Sequence, residues 1–332
     1  MALWVATGPA GWAGADYPYN GTTFAAVPAR RLATKQYYEK TGNCGMGVLT
    51  LLTDFGYRDH YVAALKARLL RLAPTLPVLD ITHGVEPYNI AHAVHVLRAV
   101  FRDFPVGTTH LIAVSDYGAS PTGAVATPAW HAAQHQGHYF VAADNGVLAL
   151  LCDGVPERLV RLRGAAPGSA AALGSQGSAL LPPPALNPTR DVLAPAAVHL
   201  ALGKSIDKLG TPTTELYSLT NRQVRLQDNR ITGHVVHVDH YGNLITNIPR
   251  EAVEVTSRDR PPIIKFGRET VRELRPHFAA APPGEIVCAF NPQGCLCIAI
   301  NQGHASELLG MYFDSQVDVW FDADSKADAG VA

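Results

Sequence analysis

A chain of 332 residues, 47% of them hydrophobic and 17% charged, can fill sizeable cores without disulfide or metal staples, and its length predicts two domains. The formal net charge of -1 leaves no overall basic field, so neither nucleic acid nor a membrane surface is an expected partner, and no apolar run is long enough to cross a bilayer. The five cysteines are scattered, odd in number and without a C-x-x-C pair, which predicts buried free thiols in a reducing, cytoplasmic setting over a disulfide or zinc site.

Residues 1–45 are rich in Gly, Ala and Tyr and keep no sustained apolar period. They lack the layout of a signal peptide, and a disordered tail or an over-called start before Met46 is expected. From there strands and helices alternate. Residues 48–52 form an apolar strand. Residues 61–72 carry Val62, Leu65, Leu69, Leu70 and Leu72 at helical spacing. A strand at 77–81, a helix at 90–101 that stops ahead of Pro105, strands at 109–114 and 138–142, and a helix at 191–202 follow. This order predicts an α/β domain over 46–210 with a mainly parallel sheet. Residues 164–188, rich in Ala, Gly, Ser and Pro, read as a long loop. A linker is expected at 211–222. Short β-rich runs at 223–239, 262–266, 285–290 and 294–300 predict a smaller barrel or sandwich over 223–323, with a tail at 324–332.

The polar clusters of the first domain stand where strands end. Asp54 follows the first strand, Asp116 the third, and Asp144-Asn145-Gly146 the strand at 138–142. Ligands of open α/β sheets bind beyond the carboxyl ends of strands. Each cluster alone reads better as a turn that ends its strand, but the shared placement points to one pocket. In the second domain Asp239-His240-Tyr241-Gly242-Asn243 offers a carboxylate, a ring and an amide, groups able to hold an ammonium, stack a base and read its edge. The same residues make a hairpin turn, and pattern alone leaves the two readings level. His131, His135 and His138 predict a surface loop over a metal site. His83 reads as structural or pocket-lining. No G-x-G-x-x-G after a strand, Walker loop or G-x-S-x-G elbow occurs.

Taken in order, Leu51-Leu-Thr-Asp-Phe-Gly56, Asp80-Ile-Thr-His83, Ala143-Asp-Asn-Gly146, Thr189-Arg-Asp191 and Asp239-His-Tyr-Gly-Asn243 form a distinctive series. Phe278, Gly284-Glu-Ile286 and Ile298-Ala-Ile-Asn301 continue it. The series resembles the S-adenosylmethionine hydroxide adenosyltransferase family, which also contains fluorinating and chlorinating enzymes, over about residues 46–322. The resemblance implies a homotrimer with each site between the α/β domain of one subunit and the β domain of its neighbour. It implies that Asp54 accepts both ribose hydroxyls, with Tyr88 beside the ribose. Tyr241 and Phe278 would stack on adenine, Asn243 would read its edge, and Asp239 would pair with the methionine ammonium. S-adenosylmethionine would be the substrate, with no separate cofactor. The implied chemistry is in-line displacement at the ribose 5′ carbon, with methionine leaving.

The chain departs from this pattern where the nucleophile would be handled. The hydrolysing branch resembles an Asp followed by an Arg and later a His. Here Asp116 matches the Asp, while Gly123 and Pro188 stand at the Arg and His positions. The hydroxyl positions of the halogenating branch fall on Ala119 and Thr189, and its contacts to the methionine carboxylate fall on Pro292 and Gln293. The leading expectation is a hydrolase in which Asp116 positions or deprotonates water. A nucleoside-binding protein without turnover is the alternative, and halide-dependent displacement the third.

Overall fold

The structure is a computed structural model that describes residues 47–116, 129–163, 187–219 and 223–321. Strand β1 (Leu49–Thr53) is buried along its whole length, as the near-continuous apolar run of a strand covered on both faces should be. Helix α1 (Tyr61–Leu72) buries Val62, Leu65 and Leu69 along one stripe and turns Leu70 to solvent. After β2 (Val78–Thr82), the Asn89 side chain accepts from the His92 backbone N–H at 2.9 Å and starts helix α2 (Ile90–Val100). Then follow β3 (Thr109–Ala113), β4 (Trp130–His135), β5 (His138–Ala143), a short helix α3 (Val147–Leu151) and β6 (Arg158–Leu162). A π-helical turn at Thr189–Leu193 leads into α4 (Ala194–Ala201), and β7 (Gly210–Pro212) closes this part, using the first residues of the expected linker.

These strands form one sheet in the order β2-β1-β3-β5-β4-β6-β7. The first four pair in parallel, and β4, β6 and β7 add antiparallel pairings. Helices α1 and α4 cover one face over Leu49, Leu51, Leu111 and Val141. Helices α2 and α3 cover the other over Leu52, Ile112 and Phe140. The expected surface loop around His131 is corrected: His131 is buried within β4. Gln136 and Gly137 have φ of 50° and 79°, the left-handed pair of a tight hairpin that pairs His135 with His138. A strand built of Trp, Ala, His and Gln lacks the β-branched signal, so only the hairpin partner reveals it.

The second part is antiparallel. It comprises β8 (Arg225–Gln227), β9 (Arg230–Val238), β10 (Leu244–Pro249), α5 (Arg250–Ser257), β11 (Pro262–Phe266) and β12 (Glu269–Val271). It continues with β13 (Ile286–Phe290), β14 (Cys295–Ile300), α6 (Ala305–Leu309) and β15 (Gln316–Phe321). The sheet runs β12-β11-β15-β9-β10-β14-β13, with β8 beside β9. A bridge between Leu274 and Cys288 brings its two ends together into a nearly closed barrel around Ile231, Ile264, Ile298 and Phe321. Burial pushes the thiols of Cys288 and Cys297 up to about 12, which makes them packing groups rather than nucleophiles. Among the described residues no helix is long and apolar enough to cross a membrane.

The two parts meet where α2 lies against β9. The His237 ring sits 4.5 Å from His92 and 4.8 Å from His95, centroid to centroid. Burial, then the neighbouring imidazoles, hold His95 down to about 4; Glu86 and Asp239 face the cluster and pull His92 and His237 the other way. Deeper in the sheet, burial and then His138 hold His110 down to about 3, its Nδ1 2.7 Å from Thr50 Oγ1. These histidines are therefore neutral in the folded chain, whereas the unfolded chain protonates them near 6.5. The unfolded state binds more protons between pH 6.5 and about 4, so stability should fall as pH drops through that window. The denaturant midpoint should follow this fall, with His95 alone contributing roughly 3 kcal/mol. His95→Gln, which cannot protonate, should flatten that part of the profile in pH-dependent urea unfolding.

Candidate active site

Strands β1 and β3 lie side by side, but the chain leaves them in opposite directions across the sheet. Such a switch point opens a crevice at the strand carboxyl ends, and Asp54 and Asp116 both stand there. The Asp54 backbone N–H donates to Ala113 O at 3.3 Å. Its carboxylate Oδ2 accepts from the backbone N–H of Tyr88 at 3.0 Å and of Ser115 at 3.3 Å. Oδ1 accepts nothing from the described residues. Both donors are non-glycine residues with left-handed backbone, at φ of 64° and 50°. Each such conformation costs of order 1 kcal/mol and persists only where surrounding bonds enforce it. The carboxylate supplies charge-assisted bonds that do so.

The Ser115 turn has a second clamp. Asn145 is buried and donates from Nδ2 to Val114 O at 2.8 Å and to Ser115 O at 3.1 Å, while its Oδ1 accepts from Val147 N at 3.1 Å. Gly146, at φ 94°, leaves no room for a side chain: a Cβ would lie 2.5 Å from the Leu219 side chain. Asp144 faces elsewhere, accepting from Tyr217 N at 2.9 Å with His131 Nδ1 3.9 Å away. The expectation of three strand-end clusters sharing one pocket is thus corrected for Asp144, whose carboxylate ties down the segment after β7. His83 supports the Asp54 loop from beneath: it is buried, 2.8 Å from Thr53 Oγ1 through Nδ1 and 3.2 Å from Asp80 Oδ1 through Nε2.

Asp116 closes the other side of the crevice. Its backbone carbonyl accepts from Trp130 Nε1 at 2.8 Å, and its Oδ2 accepts the buried Thr189 hydroxyl at 2.5 Å. Its Oδ1 accepts no hydrogen bond from the described residues. A cavity of about 440 Å³ opens here, walled by Phe55, His60, Tyr61, Asp116, Pro188 and Thr189 among others. That volume lies in the range of small-molecule sites. Arg190 also borders it, but its guanidinium pairs with Asp191 at 2.9 and 3.1 Å, and Asp191 accepts from Asn187 N. Gly123 and Ala119 lie outside the described residues.

In the barrel, Asp239 follows β9 and closes its own turn. Its Oδ1 accepts from the backbone N–H of Tyr241 and Asn243, and its Oδ2 from Asn243 Nδ2, all at 2.9 Å. Gly242, at φ 81°, packs so closely that a Cβ would meet the His304 ring at 2.4 Å. This rigid turn projects Tyr241, 75% exposed, and leaves Asn243 buried. Phe278, on a short helical turn at Phe278–Ala280, is 37% exposed, and Tyr88 in the α/β part is 77% exposed. Among the described residues no hydrogen bond, ion pair or ring contact joins Asp54, Tyr88, Asp116 and Thr189 to Asp239, Tyr241, Asn243 and Phe278. The α/β residues form one group and the barrel residues another. Gln293 opens onto a separate cavity of about 660 Å³ along the α2–β9 seam.

Sequence reading passed over Ser115, Trp130 and His60, and named Asn145 only as part of a turn. Asn145 carried a signal, a strand followed by Asp-Asn-Gly, but nothing in the pattern tells which of the two polar side chains turns inward. Ser115 and His60 carried none, because their roles come from contacts made across the sheet.

Two family models match the chain: the SAM hydroxide adenosyltransferase N-terminal domain over residues 49–210 and its C-terminal domain over 233–318. An (R)-S-adenosyl-L-methionine hydrolase of Thermus thermophilus is 33% identical over 267 residues, covering 78% of this chain and 94% of the relative. One from Salinispora arenicola is 29% identical, covering 82% and 97%. A fluorinase of Nocardia brasiliensis is 26% identical, covering 79% and 92%. Among solved structures, an uncharacterized conserved protein from Thermotoga maritima superposes with a TM-score of 0.69 at 28% identity, over 82% of this chain and all of that one. With both halves matched in order around the Asp54 crevice, the chain belongs to the SAM hydroxide adenosyltransferase family.

Proposed function

We propose that this protein hydrolyses S-adenosylmethionine to adenosine and methionine. The observation that carries the reading is the pair of carboxylates at the β1–β3 switch point, each with one oxygen committed to the fold and the other accepting no hydrogen bond from the described residues. Asp54 Oδ1 is the acceptor for the ribose hydroxyls, and the lone pairs of a carboxylate suit a cis-diol. Tyr88 packs beside the ribose. Asp116, with Oδ2 held by Thr189, presents Oδ1 to the attacking water. The sulfonium is already an activated leaving group, so no acid is required to expel methionine and no further cofactor enters the reading. The protein's task is to hold water in line with the 5′ carbon in a dry pocket.

The barrel residues supply the other half of the site. Tyr241 and Phe278 stack on adenine, Asn243 reads its edge, and Asp239 faces the ammonium. The separation of the two groups within one chain, and the exposed rings of Tyr88 and Tyr241, support a homotrimer in which the barrel of one subunit meets the α/β crevice of the next. The four described cysteines, all unpaired, fit a cytoplasmic protein.

Purified protein incubated with S-adenosylmethionine should release adenosine, read by chromatography. Both sulfonium epimers should be supplied, since the hydrolase relatives are named for the (R) form. Asp116→Asn should lower the rate by roughly 100-fold with little change in binding. Asp54→Ala should weaken nucleoside binding by a similar factor in calorimetry, as expected for two charge-assisted hydrogen bonds. No adenosine above the Asp116→Asn control would leave a nucleoside-binding protein without turnover, and a rate that requires chloride or fluoride would identify a halogenating enzyme.

The shared site has its own test. Sedimentation should give a trimer. Inactive Asp54→Ala and inactive Asp239→Ala subunits, unfolded and refolded together, should recover part of the activity, because some interfaces then combine two intact halves. No recovery would place each site within one chain.

A further inference from the structure

The hydrolysis reading leaves the proton of the attacking water without a strong acceptor. Asp116 Oδ1 can accept a hydrogen bond from that water, and the other oxygen is spent on Thr189. The cavity walls narrow the choice. Phe55 and Pro188 carry no ionisable group. Thr189 has its hydroxyl proton on Asp116. Arg190 is a cation committed to Asp191. Tyr61 packs its ring against those of Phe55 and His60. Among the described residues of this cavity that leaves one imidazole, His60.

His60 stands at the start of α1, where its backbone carbonyl accepts from Ala64 N at 2.9 Å and its side chain makes no capping bond. The ring touches the Tyr61 ring, centroids 4.7 Å apart, and no hydrogen bond from the described residues engages it. A helix start whose side chain is not spent on capping, lining the same cavity as Asp116, the one carboxylate among its described lining residues, is placed to act on a molecule held in that cavity.

We infer that His60 is the general base of the reaction, taking a proton from the water that Asp116 holds; this rests on the hydrolase reading above. The water oxygen forms a bond to the ribose 5′ carbon. The carbon–sulfur bond breaks and its electron pair returns to sulfur, giving neutral methionine. One water proton stays as the 5′ hydroxyl of adenosine. The other goes to the His60 imidazole and leaves to solvent through its exposed edge, so the positive charge of the sulfonium ends as a released proton. A histidine suits this role because its imidazole can accept a proton at one ring nitrogen and release one from the other.

The test uses the full-length protein and S-adenosylmethionine. His60→Gln should lower kcat by roughly 100-fold and move KM by less than about threefold. It should also remove the limb on which the wild-type kcat falls with acid. His60→Ala should regain rate on adding imidazole, which a merely structural role would not allow. Unchanged circular dichroism and melting would show that the exposed position tolerates both changes. Adenosine release by the wild type with the same kcat and pH profile in His60→Gln overturns the proposal and leaves the hydrolase reading intact. No adenosine from the wild type overturns both.

Discussion

Everything at the candidate site depends on one carboxylate holding two peptide groups in a conformation they would not choose. Asp54 Oδ2 takes the N–H groups of Tyr88 and Ser115, both left-handed, and so joins the loop after β2 to the end of β3. Residues with a Cβ adopt such geometry only under constraint. Here the constraint comes from Asp54 on one side and, at Ser115, from the Asn145 carboxamide on the other. The parallel sheet provides the rigid base: β1 and β3 are fully buried and in register, and the bond from Asp54 N to Ala113 O extends that pairing one residue into the crevice. The crevice shape follows from β1 and β3 sending their chains opposite ways.

The same economy recurs around Asp116. Asp116 spends one oxygen on Thr189 and its backbone carbonyl on Trp130, which fixes the carboxylate against the start of the π-helical turn. Such turns recur at functional sites because the wider coil redirects side chains without ending the helix. In the barrel, Asp239 accepts three hydrogen bonds from its own turn, and that rigidity projects Tyr241 outward. In each case a fold-determining bond and a group proposed to face the ligand belong to one short segment. Replacing any of these carboxylates therefore disturbs geometry as well as chemistry, and binding, rate and stability must be read separately.

Much of the architecture was legible in the chain. The apolar run at 48–52 and the helical stripe of Val62, Leu65 and Leu69 identify a buried strand, found at Leu49–Thr53, and its covering helix, because both are local burial patterns. The switch to short β-rich runs after residue 223 likewise marks the barrel. What escaped was β4, whose Ala- and His-rich sequence has no strand signature and becomes a strand only through its hairpin with β5. Asp144 was misread for a related reason: it and Asn145 are adjacent, polar and at a strand end, and only the surrounding backbone decides that Asn145 turns to Ser115 while Asp144 turns to Tyr217.

By itself the sequence determined where strands end and which acidic residues stand at those ends, since alternation and turn chemistry act within a few residues. The ordered series of motifs carried the family likeness on that basis alone. Only the tertiary structure decided which oxygen of Asp54 and of Asp116 is occupied, that Asp239 fastens its own turn, and that His60 borders the Asp116 cavity. The physical reason is separation along the chain. Asp54 meets Ser115 across 61 positions and Thr189 meets Asp116 across 73, and partners that distant are chosen by the packing of the whole sheet and its helices.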